Sequence, residues 1–328
     1  MHPLFRGQDS LRLCNEHLEA IVLPGVGGKI VSLRRVATGT EFLLPPPEPE
    51  RPYPVDTPGA PFDAYDTSGF DECFPTVGAC EVAVFGASPL RLPDHGEVWS
   101  RPWRIVEHGQ DRLTLCITSS LLPCTLERSL RLHGGHLEAR YTLTNLGKRP
   151  MPYMWSAHPL LACDEGDAVW LPPSVRRAFV EYSRDERLGP TGSWIDPDTL
   201  ATVLGRLDPV VQPRAEKLFI EQVHEGHVAL VRRRRGEVLH VRFDPAEISG
   251  LGLWICQGGW PPSPDPRSGV PRPGHFTVAI EPCRGWPDRL DDAMRRKTHA
   301  TLVTHDTWTV RFEPADLHTL PDWTAPGP

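Results

Sequence analysis

Thirty-seven prolines and 28 glycines punctuate the 328 residues of this chain. Proline breaks a helix interior and glycine weakens one, so punctuation this dense forbids long helices and leaves short pieces. Most of the pieces read as strands. LEAIVLP from Leu18 and KIVSLRR from Lys29 flank the glycine-rich turn GVGG. HLEARYTLTNL from His136 alternates with the two-residue period of a half-buried strand, and Gly134-Gly135 before it signals a hairpin. KLFIEQV, HVALVRRR and EVLHVRF, starting at Lys217, His227 and Glu237, are split by HEGH and RRGE and read as a meander, and THDTWTVRFEP closes the pattern. Helical spacing is confined to DPDTLATVLGRLD, with Leu200, Val203, Leu204 and Leu207 on one face, and PDRLDDAMRR, opened by Pro287. Many strands and few short helices predict an all-β fold, a large antiparallel β-sandwich.

PPPEPERPYPVDTPGAP, starting at Pro45, is too proline-rich for either element. It reads as a surface loop over residues 45–62, because the roughly 45 residues before it are too few for an independent core. Residues 1–328 are therefore expected to form one domain. A hydrophobic fraction of 39% and a charged fraction of 23% exclude disorder across the chain. With a net charge of −7 there is no footprint for a phosphate backbone, so nucleic acid is not an expected partner. The 35 basic residues comprise four lysines, at positions 29, 148, 217 and 297, and 31 arginines, a bias read as genome composition. No stretch nears the ~20 apolar residues of a membrane helix. The N-terminus MHPLFRGQDS lacks the basic and apolar regions of a secretory signal. Eight scattered cysteines form no CxxC pair, which argues against zinc and against a dense disulfide framework. They are expected to be reduced, semi-buried small hydrophobes in a cytoplasmic protein.

Three segments place an ionisable side chain beside a backbone-restricting residue at a strand end: PDHGEVW (93–99), YMWSAHPLL (153–161) and FTVAIEPCRGW (276–286). His158 and Glu281 each precede a proline, which excludes the helical region and holds them extended. His95 precedes a glycine, where the chain can turn sharply or let a ligand approach. Glu281 ends the apolar run Phe276, Val278, Ile280, so alternation assigns it a solvent or concave-face position.

Together these segments resemble the galactose mutarotase-like (aldose 1-epimerase) family, in which a His-Gly segment, a later His-Pro segment and a late Glu-Pro segment supply the active site. Here they are His95-Gly96, His158-Pro159 and Glu281-Pro282, in the family's order. GGKIVSL followed by TGTEFLL resembles the family's opening hairpin, SGFDECFPTV (68–77) its Phe-Pro segment, YTLTNLGKRPMPYMWSAHP the strands leading to the central histidine, and WTVRFE its closing strand. The resemblance implies a supersandwich with a sugar cleft on its concave sheet, and an aldose 1-epimerase that interconverts α and β anomers of a small-molecule carbohydrate without metal or other cofactor. It implies Glu281 as general base at O1–H, His158 as general acid at the ring oxygen, and His95 as a hydrogen-bonding group. Phe74, Glu97, Trp155, Trp260 and Trp286, in or near these segments, are the candidate sugar contacts. A non-catalytic carbohydrate-binding protein with the same cleft is the alternative, and a two-His-one-carboxylate metal site is a third reading.

Galactose-acting members also carry an arginine in an Asn-Arg segment before the first histidine, and an aspartate between the His-Pro and Glu-Pro segments. No Asn-Arg segment stands here; Arg91, Arg101 and Arg104 are nearby without the motif, and Asp244 and Asp265 are available without a matching context. The run from Arg232 to Arg235 straddles a strand end and a hairpin turn and reads as solvated charge.

Overall fold

The structure is a computed structural model that describes residues 4–84, 89–208, 212–261, 269 and 274–320. Two large sheets carry the core. Across the ten-stranded sheet the neighbours run Trp194–Ile195, Ala178–Ser183, Arg214–Ile220, Gly250–Gln257, Phe276–Arg284, Trp155–Ala162, Phe70–Cys73, Lys29–Arg35, Leu18–Leu23 and Leu11–Cys14. The eight-stranded sheet runs Ala168–Trp170, His227–Arg232, Glu237–Phe243, His305–Asp316, His136–Asn145, Cys124–His133, Arg112–Thr118 and Arg104–His108. The ladders are antiparallel, and the described residues include two α-helices, Pro197–Leu204 and Leu290–Arg296. This is the all-β sandwich that the punctuation demands.

Period-two alternation builds the core. Leu126, Leu130, Leu132, Leu137, Ala139, Tyr141 and Leu143 of the smaller sheet meet Leu218, Ile220, Leu251, Leu253, Ile255, Val278 and Ile280 of the larger one. In the middle of the larger sheet the strands are buried on both faces: WSAHPLLA over Trp155–Ala162 is buried at every position but the last. Something therefore covers the outer face there, and the functional residues lie under that cover.

Two expectations change. The runs at Lys217, His227 and Glu237 are not a meander: the first pairs with Gly250–Gln257 in the larger sheet, and the other two form a hairpin in the smaller. Alternation fixes which face of a strand is apolar, but both sheets offer that face the same core, so it does not choose the partner. Nor is the arginine run simply solvated. Arg232 is buried with Nη2 2.8 Å from Asp164 and Nε 2.9 Å from Asp167, while Arg235 joins Asp164 at 2.7 Å, a clamp on the preceding turn. The proline-rich stretch forms no helix or strand from 44 to 61 and ends in a 3-10 turn, Phe62–Ala64. Among the described residues no helix is long and apolar enough to cross a membrane, and all eight cysteines are free thiols.

Candidate active site

Pro159 and Pro282 have no N–H to give a ladder. Between the strands Trp155–Ala162 and Phe276–Arg284, Ser156 pairs with Cys283 and Leu160 with Ala279, and the ladder is interrupted in between. That register sets His158 opposite Glu281, on the face turned away from the core that Ala157 and Ile280 join. His158 Nε2 stands 3.9 Å from Glu281 Oε1. On the other flank Gly252 is the register partner of Glu281, and a Cβ there would lie 3.0 Å from Oε2. One strand further, the Lys217 ammonium ion-pairs with Oε2 and has Asp288 Oδ1 at 3.6 Å. Ser156 Oγ also donates to Oε2, at 3.5 Å. Among the described residues Oε1 has no hydrogen-bond partner, and neither has His158 Nδ1.

His95 arrives from a turn. It has φ 57° and Gly96 has φ 71°, and a Cβ on Gly96 would lie 2.0 Å from the Phe74 carbonyl oxygen, so only glycine fits there. The imidazole stacks on Phe62 at 3.9 Å between ring centres and meets the His158 ring edge-on at 5.0 Å. Its Nδ1 lies 3.1 Å from Asp94 Oδ2.

These surroundings shift the two histidines in opposite directions. Burial pulls both down. For His95 the Asp94 carboxylate more than offsets burial, and its pKa is raised above the ordinary 6.5. For His158 burial is reinforced by His95, Lys217 and Lys29, and its pKa falls well below 6.5. His158 is thus neutral at pH 7. Burial raises the Glu281 carboxyl above its usual range, Lys217 draws it back, and Asp288 pushes it up again. For Lys217 burial works against the charge, but Asp288 and Glu281 outweigh it and keep the ammonium protonated.

A cavity of about 650 Å³ opens against this cluster, within the range of small-molecule sites. Its polar wall includes His95, His158, Lys217, Asp94, Asp288 and the pair Arg184–Asp185; Phe62, Tyr182, Trp254 and Trp260 supply aromatic surface. Among the described residues both permanent cations in the wall are committed, Lys217 to its two carboxylates and Arg184 to the Gly259 carbonyl at 2.8 Å and Asp185 at 3.7 Å, and the His95 imidazole is held by Asp94. Glu281 itself has no exposed surface and lies one layer behind Lys217 and His158. Among the described residues no three His, Cys, Asp or Glu side chains are grouped as metal ligands.

No family model matches the sequence, and no curated protein matches it. Solved structures do match. The Slr1438 protein of Synechocystis sp. PCC 6803 superposes with a TM-score of 0.71 at 19% identity, covering 96% of this chain and 100% of that one. A galactose mutarotase-like protein from Lactobacillus casei ATCC 334 gives 0.66 at 15%, covering 93% and 100%. A galactose mutarotase related enzyme from Lactobacillus acidophilus gives 0.66 at 17%, covering 94% and 98%. The fold is galactose mutarotase-like. At these identities the likeness to galactose mutarotase-like proteins speaks for architecture, and chemistry has to be argued from the side chains.

Of the candidates read from the sequence, His95, His158 and Trp260 line the cavity, with Glu281 immediately behind it. Phe74, Glu97, Trp155 and Trp286 are placed elsewhere. Phe74 is core, ring to ring with Tyr153 at 6.1 Å. Glu97 is buried in a separate knot with Ser119, Ser120 and Arg101, whose hydrogen bonds consume both its oxygens. Trp155 points between the sheets, donating to Glu72 Oε2 at 2.9 Å, and Trp286 packs among Phe179, Phe219 and Cys283. Asp244 is exposed and only accepts from the Ala246 N–H, and Asp265 lies outside the described residues. From the interval between the His-Pro and Glu-Pro segments, Asp185 is an aspartate that lines the cavity.

Sequence reasoning missed Asp94, Lys217, Asp288 and Phe62. Asp94 and Asp288 stand within or two residues beyond the motifs already singled out. Lys217 had a compositional signal: two of the four lysines in an arginine-dominated chain, Lys29 and Lys217, are buried on carboxylates, Asp71 and Glu281.

Proposed function

We propose that this protein is an aldose 1-epimerase-like isomerase that interconverts the anomers of an unphosphorylated aldose. The observation that carries the reading is the convergence, beside one aromatic-walled cavity, of a carboxylate oxygen without a partner among the described residues and two imidazoles whose pKa values are shifted in opposite directions. Anomer exchange needs a base at O1–H and an acid at the ring oxygen at the same moment. Glu281 Oε1 takes the O1 proton, the electron pair becomes the C1=O1 bond, the bond from C1 to the ring oxygen breaks, and that oxygen receives a proton. Rotation about C1–C2 and reversal of the steps close the ring on the other face.

The acid in this scheme is His95. Asp94 raises its pKa above the ordinary 6.5, whereas burial and the cationic surroundings of His158 leave that ring neutral. His158 serves as a neutral hydrogen-bonding group between O1 and Glu281, the reverse of the roles the sequence resemblance implies. Sugar binding parts Lys217 and His158 enough for O1–H to reach Oε1, in keeping with the long, unaligned contacts of catalytic groups in unliganded sites. Both cavity cations are already paired with carboxylates, which supports a neutral substrate over a phosphorylated one.

The complete burial of Glu281 favours one other reading, a carbohydrate-binding protein without turnover. Saturation-transfer NMR on freshly dissolved α-aldoses separates the two. Exchange above the spontaneous rate, lost in Glu281→Gln, supports the isomerase. Binding without exchange in the wild type overturns it.

A further inference from the structure

Lys217 lies on the proposed base. It comes from the strand Arg214–Ile220, is 5% exposed, and reaches past the bare backbone of Gly252 to Glu281. Its ammonium also lies 5.3 Å from the centre of the Phe219 ring, which closes off its apolar side. With Lys217 and Ser156 on Oε2, the oxygen left over is Oε1, the one that faces His158. Stripped of water, with Asp288 nearby, a carboxyl group in this place takes up a proton unless a cation is bound to it, and a protonated carboxyl is no base.

Resting on the isomerase reading above, we propose that Lys217 is the positioning residue of the site: it holds Glu281 as a carboxylate and presents Oε1 as the proton acceptor. Asp288 is the second carboxylate that keeps Lys217 itself charged. The other groups that face Glu281 are His158 and Ser156 from Trp155–Ala162, His95 from its turn, Cys73 from Phe70–Cys73 and Cys283 on its own strand. Glu181, from Ala178–Ser183, faces Lys217 and Asp288, and burial and Asp288 push its carboxyl up to about 8. Of these groups only Lys217 stays cationic well above neutral pH, so no neighbour replaces it.

The test compares wild type, Lys217→Met and Lys217→Arg by two measurements. The first is the NMR titration of carboxyl-¹³C-labelled glutamate, with the Glu281 signal assigned by its loss in Glu281→Gln. The second is the pH profile of kcat/KM for anomer exchange. A base acts when deprotonated, so activity rises with pH through the Glu281 titration. Losing Lys217 moves that rise to higher pH by about one to three units, so exchange on the acid limb of the profile drops roughly tenfold to a thousandfold and returns as the pH is raised. Lys217→Arg restores the wild-type limb. Adding Lys217→Met to Glu281→Gln causes no further loss. Should Lys217→Met not fold, Lys217→Gln, which keeps a hydrogen-bonding amide one atom shorter and without the charge, takes its place. A Glu281 titration unchanged by loss of the Lys217 charge overturns the proposal. The titration needs no sugar: a Lys217-dependent Glu281 in a protein that exchanges no aldose counts against the isomerase reading and not against the charge-setting role.

Discussion

Glu72 and Glu281 belong to the same sheet, on strands either side of Trp155–Ala162, and neither has any exposed surface. Each has one buried cation. Glu72 faces the interior between the sheets, where Oε1 accepts from Arg128 at 2.7 Å and Tyr141 at 2.8 Å and Oε2 accepts from Trp155 at 2.9 Å. Glu281 faces the opposite way, with Lys217 and Ser156 on one oxygen and, among the described residues, no hydrogen-bond partner on the other. Burial and charge are alike; hydrogen-bond completion differs. A saturated buried network fixes one arrangement of the core, whereas an unused acceptor beside a cavity is capacity held for something that arrives later. Burial of a carboxylate therefore does not mark a functional site. Nor does an unmet valence alone, since Glu216 and Glu237 each have one too; what sets Glu281 apart is that its open oxygen faces His158 at the cavity.

The sharpest way to break the comparison is Glu281→Gln. Exchange should fall by the worth of a proton-transfer group, about 10²–10⁴, with the melting temperature close to wild type, as polarimetry and calorimetry on one preparation will register. Arg128→Met should do the converse. It strands Glu72 without its cation and should cost about 3–5 kcal/mol of stability in denaturant unfolding, while exchange per folded molecule persists. A cost under ~1 kcal/mol would mean that Glu72 tolerates incompleteness as Glu281 does. Next is Asp94→Asn. An acid is active while protonated, so exchange declines as pH rises through the His95 titration. Asp94 holds that titration above 6.5, and without it burial and Lys217 are opposed only by Asp288. The alkaline limb should move below 6.5, a shift of about one to three units, and exchange at pH 7 should drop accordingly. The smallest effect is expected for ligand charge. Aldose 6-phosphates should show KM raised about five- to tenfold over the neutral sugars, the scale of one screened charge contact, with kcat little altered.

The sequence made the faces of strands legible, and with them the core: period-two runs at Leu18, His136 and His305 are strands, and the two helical stretches are helices. It also carried His95, His158 and Glu281, because glycine or proline beside an ionisable residue constrains the backbone locally. What it could not carry is adjacency across the sheet. Lys217 meets Glu281 because Arg214–Ile220 and Phe276–Arg284 flank Gly250–Gln257, an order that no repeat spacing encodes. Tryptophans misled for a related reason: Trp155 sits in a motif, but alternation along its strand turns it into the core while His158 looks into the cavity, and Trp260 reaches the cavity from a loop.

The interrupted ladder has a consequence for how the chain finds its register. Sliding Trp155–Ala162 by two residues against Phe276–Arg284 keeps every side chain on its proper face, so hydrophobic burial barely resists the slip. The prolines do resist it. In the native register Pro159 and Pro282 fall in the stretch where the ladder is already open. Displaced by two in one direction, they would fall opposite Val278 and Trp155, where native pairs of the ladder form, and a buried carbonyl left without a donor is penalised. Misassembly is thus discouraged by the same two residues that open the sheet at His158 and Glu281, so a chain that pairs these strands wrongly loses backbone hydrogen bonds before it can lose chemistry.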